Sequence, residues 1–253
     1  MSSRFEIRIL LTAILFLTPI TAGLTTYVLL QMKEDSLLST AGNAYSPPRN
    51  VGGLVQNVSE SLVTINCLEE LGSGFSFGLD SVDISNGFEF RIATAKGAPS
   101  IIVTNHHVLE KCLKTNKVEV ISFNGKKHSG EILEVDEAND LAIVRIESKL
   151  SPLYGAGWKP SPGFWTMALG SPHGFDGSVT FGNIINFDSP SVFHTASLSP
   201  GNSGGPLVDN EGFVYGVNTG SKPIGQNFNI SVGVNAFCDR LINCKERKYW
   251  VDR

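Results

Sequence analysis

Pro200-Gly201-Asn202-Ser203-Gly204-Gly205-Pro206-Leu207 is the stretch around which the rest of the chain organises itself. A serine set among three glycines makes a poor core and a poor helix. Glycine admits backbone conformations closed to other residues and lets a second chain come close. A nucleophilic serine needs both, because its hydroxyl must stand clear of its own backbone. The amide N–H groups around it must also converge where a carbonyl oxygen turns into an oxyanion. The plain alternative for these residues is a Gly/Ser turn between two strands.

A serine attacks a carbonyl when a base takes its proton. The chain offers His106, His107, His128, His173 and His194, and all five precede Ser203. Gly201-x-Ser203-x-Gly205 also fits a nucleophile elbow, but that architecture places its histidine after the serine. That reading is excluded, and the orders His-Asp-Ser and Asp-His-Ser remain. Ile101-Ile102-Val103-Thr104-Asn105-His106-His107-Val108-Leu109 reads as an apolar strand ending on two histidines and entering a helix or turn. In extended chain the two imidazoles point to opposite faces, so they do not share a role. His128 lies in a polar hairpin-like stretch and His173 in a Gly/Pro loop; with His194 they are read as ordinary satisfied or exposed side chains. Asn139-Asp140-Leu141-Ala142 sets a carboxylate just before another apolar strand. An acceptor on Nδ1 fixes the tautomer of a catalytic histidine and balances the imidazolium. His107, Asp140 and Ser203 then follow in order, with gaps of 33 (140 − 107) and 63 (203 − 140) residues.

Ile9 to Leu30 is uncharged for 22 positions, with Arg4 and Arg8 before it and Lys33 after it. About 20 apolar residues span a bilayer. Residues 1–8 are therefore expected to be cytoplasmic and 9–31 a transmembrane signal anchor. A cleaved signal peptide is the competing reading, and either exports the rest of the chain. Residues 32–52 read as a flexible tether rich in Ser, Gly, Asn and Pro, ahead of a catalytic domain over 53–253. No basic tract suggests a nucleic-acid partner, and a formal net charge of −4 says little about partners. Short β-type runs are predicted at 62–67, 74–79, 88–93, 101–104, 118–123, 128–135, 141–147, 164–169, 178–187, 192–195, 206–208, 212–217 and 228–234. The one convincing helix runs from 236 to 249. Many short strands with a terminal helix point to barrels or a sandwich. Four cysteines in an exported chain permit two disulfides, and Cys67 would reach Cys112 from the first strand. Cys238 and Cys244 are about 9 Å apart along an unbroken helix, too far to bridge without a bend. No CxxC or ligand-spaced His/Cys set suggests a metal.

Thr104-Asn105-His106-His107-Val108, Asn139-Asp140-Leu141-Ala142, Ala168-Leu169-Gly170-Ser171-Pro172, the serine stretch and Gly216-Val217-Asn218-Thr219 together resemble the trypsin-like serine peptidases of the HtrA (Deg) type. The resemblance covers about residues 53–243. It implies an all-β fold of two six-stranded antiparallel barrels with the triad between them. It assigns His107 as base, Asp140 as its orienting acid and Ser203 as nucleophile, with an oxyanion hole at Gly201, Asn202 and Ser203. No metal or organic cofactor is implied. The S1 pocket is expected at Ser197 and Leu198, with Val217, Asn218 and Thr219 as a wall. Without an acidic floor, small or aliphatic P1 residues are expected. Polypeptide substrates, a membrane contact through the N-terminal segment, an extracytoplasmic location and possible homo-oligomers follow from the same reading. In digestive relatives an aspartate at the place of Asn202 pairs with a newly cut N-terminus. Neutral Asn202 cannot, so the oxyanion loop must be ordered by other contacts. Two departures stand out: no PDZ domain is expected after the terminal helix, and residues 80–100 are longer than the usual hairpin. A catalytically silent binding module, or a hydrolase for one precursor, are the alternatives.

Overall fold

The computed structural model describes residues 44–68, 70–78, 82–84, 89–90, 99–171, 178–221 and 228–243. The expected anchor at 9–31 and His173 lie outside them. Among the described residues no helix is long and apolar enough to cross a membrane.

Two closed six-stranded barrels form the body. The first is built from β1 (Leu62–Cys67), β2 (Glu70–Ser76), β5 (Ser100–Thr104), β6 (Lys117–Ser122), β7 (Lys127–Asp136) and β8 (Leu141–Ile146), ordered β1-β2-β5-β8-β7-β6. The second uses β9 (Trp165–Gly170), β10 (Ser178–Asp188), β11 (Ser191–His194), β12 (Pro206–Val208), β13 (Val214–Ser221) and β14 (Asn229–Gly233), ordered β10-β11-β14-β13-β12-β9. The strands that carry the site are buried on both faces, which is why they read as unbroken apolar runs rather than alternating ones. Side chains alternate across a strand. In β5, Ile102 therefore joins the cluster inside the first barrel, with Val63, Ile65, Val120 and Val144. Its neighbours Ile101 and Val103 join a second cluster with Met167, Leu169, Val208 and Val217 of the other barrel. Ala168 points the other way from Met167, into the second barrel with Leu207, Tyr215 and Val192. The Cys67–Cys112 disulfide ties β1 to the segment behind the histidines, with the Cα atoms 5.8 Å apart.

The ends of the domain differ from expectation. Helix α1 (Val51–Ser59) begins in the last two residues of the expected tether, 32–52, and opens the expected domain. Two glycines lower its intrinsic stability by about 1 kcal/mol each. Tertiary contacts offset that: the Asn50 side chain caps Gly53 N–H at 2.9 Å, and Leu54, Val55 and Val58 pack on the inter-barrel core. Residues 44–46 are docked as well. The Trp165 N–H donates to the Ala44 carbonyl at 2.8 Å, Tyr45 meets Phe164 edge-on, and Asn210 reaches the Ser46 carbonyl at 3.0 Å. Helix α2 (His106–Leu109) takes up both histidines, so they do not sit on opposite faces of a strand. The terminal helix α3 covers Val234–Arg240, shorter than the expected 236–249. It stops because Ile242–Asn243 (β15) pairs with Val82–Ile84 (β3), which in turn pairs with Glu89–Phe90 (β4). The long segment at 80–100 is thus tied to the C-terminal region through this three-stranded sheet.

Phe237 of α3 is buried and packs edge-on against Phe77, with ring centroids 5.0 Å apart. Phe237→Ala is expected to cost about 3–5 kcal/mol, readable by chemical denaturation. Asp209, in the turn between β12 and β13, is also buried; Oδ1 accepts the Glu211 and Phe213 amides while Oδ2 has no partner among the described residues. Burial pushes its carboxyl up from 3.8 to about 7. The stability it contributes is fully present below pH 3.8 and is lost as pH rises through about 7. Asp209→Asn, a mimic of the neutral acid, should therefore be more stable than the wild type at about pH 8 and lose that advantage at about pH 3, as measured by thermal melts.

Candidate active site

Each candidate residue stands at the end of a rigid element. Strand β5 delivers Asn105 in extended conformation (φ −87°, ψ 152°), and the chain turns at once into α2, which carries His107. Asp140 sits just before β8 in the left-handed region (φ 53°), a position aspartate tolerates better than most residues. Its Oδ1 accepts the His107 backbone N–H at 3.0 Å, and its two oxygens lie 2.9 and 2.8 Å from His107 Nδ1. The carboxylate thereby holds both the backbone and the ring of His107, leaving Nε2 as the free edge. This contact raises the imidazole pKa above 6.5, against an opposing effect of burial. The pair's contribution to stability is fully present below pH 6.5 and is lost as pH rises through the raised folded value.

Ser203 is reached from the other barrel. Gly201 has φ 99° and Gly204 φ 87°. A Cβ at Gly204 would run into the Ser73 carbonyl and Thr104 Oγ1, so only glycine lets the serine loop lie against the first barrel. The Ser203 hydroxyl donates to the Thr219 carbonyl at 3.1 Å. Among the described residues it makes no hydrogen bond to an imidazole. Among the described residues the amide N–H groups of Gly201 and Ser203 donate to no protein acceptor. The Asn202 N–H does, to the Ser199 carbonyl at 2.9 Å. Of the expected oxyanion residues, Asn202 thus has its amide engaged, while the amides of Gly201 and Ser203 are not engaged among the described residues.

The expected pocket wall also changes. Val217 is buried in the inter-barrel core. Asn218 is fully buried; Nδ2 donates to the Leu169 and Pro206 carbonyls and Oδ1 accepts from Ser231. Neither side chain is exposed. Thr219 is half-buried, with Oγ1 accepting from Asn105 Nδ2 at 3.1 Å. Ser197 is exposed and Leu198 half-buried on the loop leading to Gly201.

Two residues of the site escaped sequence reading. Asn105, fully buried, donates to the Asp140 carbonyl at 2.7 Å as well as to Thr219, linking the two barrels. Its place between a strand and the histidines was the available signal. Ser73, also fully buried, contacts the serine loop from β2 and had no signal beyond the glycines beside it. The remaining histidines lie elsewhere. His128 hydrogen-bonds Ser122 at 3.1 Å, and burial together with Lys126 lowers its pKa. His194 is buried in the second barrel, its Nε2 3.0 Å from Ser231 Oγ, and burial takes its pKa down to about 4.

NMR titration of the ring signals should therefore separate the histidines. His107 is expected to titrate above 6.5 and His194 not at all between about pH 5 and 8. In Asp140→Asn the His107 midpoint should fall; an unmoved midpoint would refute the pairing.

Residues 72–217 match the trypsin-like peptidase domain. A probable periplasmic serine endoprotease, DegP-like, of Chlamydia muridarum is 35% identical over 130 residues, covering 47% of this chain and 25% of the relative. The mitochondrial serine protease HTRA2 of Bos taurus is 30% identical over 210 residues, covering 77% of this chain and 44% of the relative. The chain thus spans less than half the length of either. The crystal structure of a serine endoprotease from Yersinia pestis superposes with a TM-score of 0.62 at 22% identity, over 77% of this chain and 66% of the other, a likeness of fold. With the two barrels, the histidine–aspartate pair and the glycine-framed serine, the chain belongs to the trypsin-like peptidase domain family.

Proposed function

We propose that the protein is a serine endopeptidase of the HtrA type, cutting unfolded or exported polypeptides outside the cytoplasm. The observation that carries this reading is the His107–Asp140 contact, a carboxylate on Nδ1 at 2.8 and 2.9 Å that leaves Nε2 clear of that carboxylate. Asp140 selects the tautomer with the proton on Nδ1, so Nε2 carries the lone pair a base needs. Ser203 Oγ, once turned from Thr219, gives its proton to Nε2 and attacks the scissile carbonyl. The negative charge then falls on an oxygen within reach of the Gly201 and Ser203 amides, each such donor being worth about 10²–10³ in rate. The imidazolium, balanced by Asp140, protonates the leaving amine. A water gives its proton to Nε2 and hydrolyses the acyl-enzyme by the same route, restoring Ser203.

Exposed Ser197 and half-buried Leu198, the residues expected at the pocket, carry no charge. We read this as favouring small or aliphatic P1 side chains over Lys and Arg. Residues 9–31 are proposed to hold the domain at a membrane facing away from the cytoplasm. The periplasmic designation of the Chlamydia relative agrees with an extracytoplasmic site. Possible self-assembly belongs to the same proposal.

The test is the full chain and its Ser203→Ala variant, each incubated with a fluorophosphonate probe and unfolded casein. Labelling and cleavage present in the first and lost in the second are expected. No labelling of a folded wild type would instead favour a binding module. Asp140→Asn should lower kcat by about 10³–10⁴. The acid limb of kcat/KM in the wild type should lie above pH 6.5, because only neutral His107 can act as base.

A further inference from the structure

We infer that Ser73 is a positioning residue that sets the oxyanion hole from the opposite barrel, an inference that rests on the peptidase reading above. Three of its bonds converge on the serine loop and its support. The Ser73 N–H donates to the Ser203 carbonyl at 2.8 Å. Its hydroxyl donates to the Gly201 carbonyl at 2.6 Å and accepts the Ser171 N–H at 2.8 Å. Because the Ser171 amide can only donate, the hydroxyl proton is committed to Gly201, and the direction of each bond is fixed.

The geometry explains why this matters for the two amides. Gly201 and Ser203 contribute the N–H groups, and the same two residues have their carbonyls held by one side chain and its own backbone. Gly201 is a glycine at φ 99°, with nothing intrinsic to keep its flanking peptides from turning. If the peptide joining Gly201 to Asn202 rotates, the loop's donors lose their common aim. Ser73 is in turn fixed: its own carbonyl accepts Thr104 Oγ1 at 2.7 Å, and Thr104 ends the strand that leads to His107. Nucleophile loop and base are thus referenced to a single residue in β2.

The clamp also answers what Asn202 leaves open. That side chain cannot form an ion pair with a new N-terminus, and its Oδ1 is buried without a partner among the described residues. Order comes from Ser73 instead, so the hole is set by folding and not by a cut in the chain.

The experiment compares the full chain with Ser73→Ala, Ser73→Thr and Thr64→Val. Thr64 bonds Ser171 Oγ at 2.8 Å, one step from Ser73. Its variant removes a nearby buried hydroxyl and leaves the clamp intact. Ser73→Ala is expected to lower kcat and the fluorophosphonate labelling rate by about 10–10², with KM within about threefold, while the melting curve stays cooperative. Ser73→Thr, which restores the hydroxyl, should recover activity if it folds, and Thr64→Val should keep the wild-type kcat. Wild-type kcat in Ser73→Ala would overturn the inference. So would equal kcat losses in Ser73→Ala and Thr64→Val, since buried hydrogen bonds in general would then be responsible. An inert wild type would instead bring down the peptidase reading, and this inference with it.

Discussion

The site depends on two barrels being locked face to face. Ile101, Val103, Leu141 and Ile143 from one and Met167, Leu169, Val208 and Val217 from the other share a single buried cluster, each at most 2% exposed. A core packed to that degree transmits position and does not absorb it. His107 and Asp140 stand on the ends of strands whose apolar faces belong to this cluster. The serine loop hangs between β11 and β12 on the other side. No side chain of the candidate triad is held by its sequence neighbours alone.

The barrels give the same residue type opposite chemistry. His107 is nearly half exposed and faces a carboxylate, which favours the charged ring. His194 is fully buried, and desolvation disfavours the charge. One is suited to exchange protons near neutral pH. The other stays neutral and serves as a fixed end of a hydrogen-bonded chain through Ser231 and Asn218 to the carbonyls of Leu169 and Pro206. That chain crosses five strands of the second barrel, and it is why Asn218 faces inward. Burial takes these polar groups out of bulk solvent, so the hydrogen bonds they make with one another offset that loss.

Under the proposed mechanism, the Ser203 hydroxyl must leave the Thr219 carbonyl before it meets His107. The hydroxyl is held by Thr219, whose own side chain is held by Asn105 next to the histidines. Under the peptidase reading, a substrate that displaces the hydroxyl from Thr219 frees it for His107. Catalytic hydrogen bonds are commonly looser before substrate binds.

What the sequence by itself determined is the chemistry and most of the strand pattern. The order His107, Asp140, Ser203 excluded the elbow architecture, and the glycines beside Ser203 marked a close backbone approach. Strands β1 and β12 were legible to the residue, because runs of β-branched and apolar residues between turn formers carry their signal locally. Only the tertiary structure decided what depends on distant partners. Helix α1 exists because its apolar side chains meet the inter-barrel core, against the preference of its two glycines. Helix α3 ends early because Ile242 and Asn243 find a strand some 160 residues away (242 − 84 = 158). The clamp at Ser73 joins residues 128 apart. No local period encodes such a contact; it appears when two closed barrels bring β2 against the serine loop.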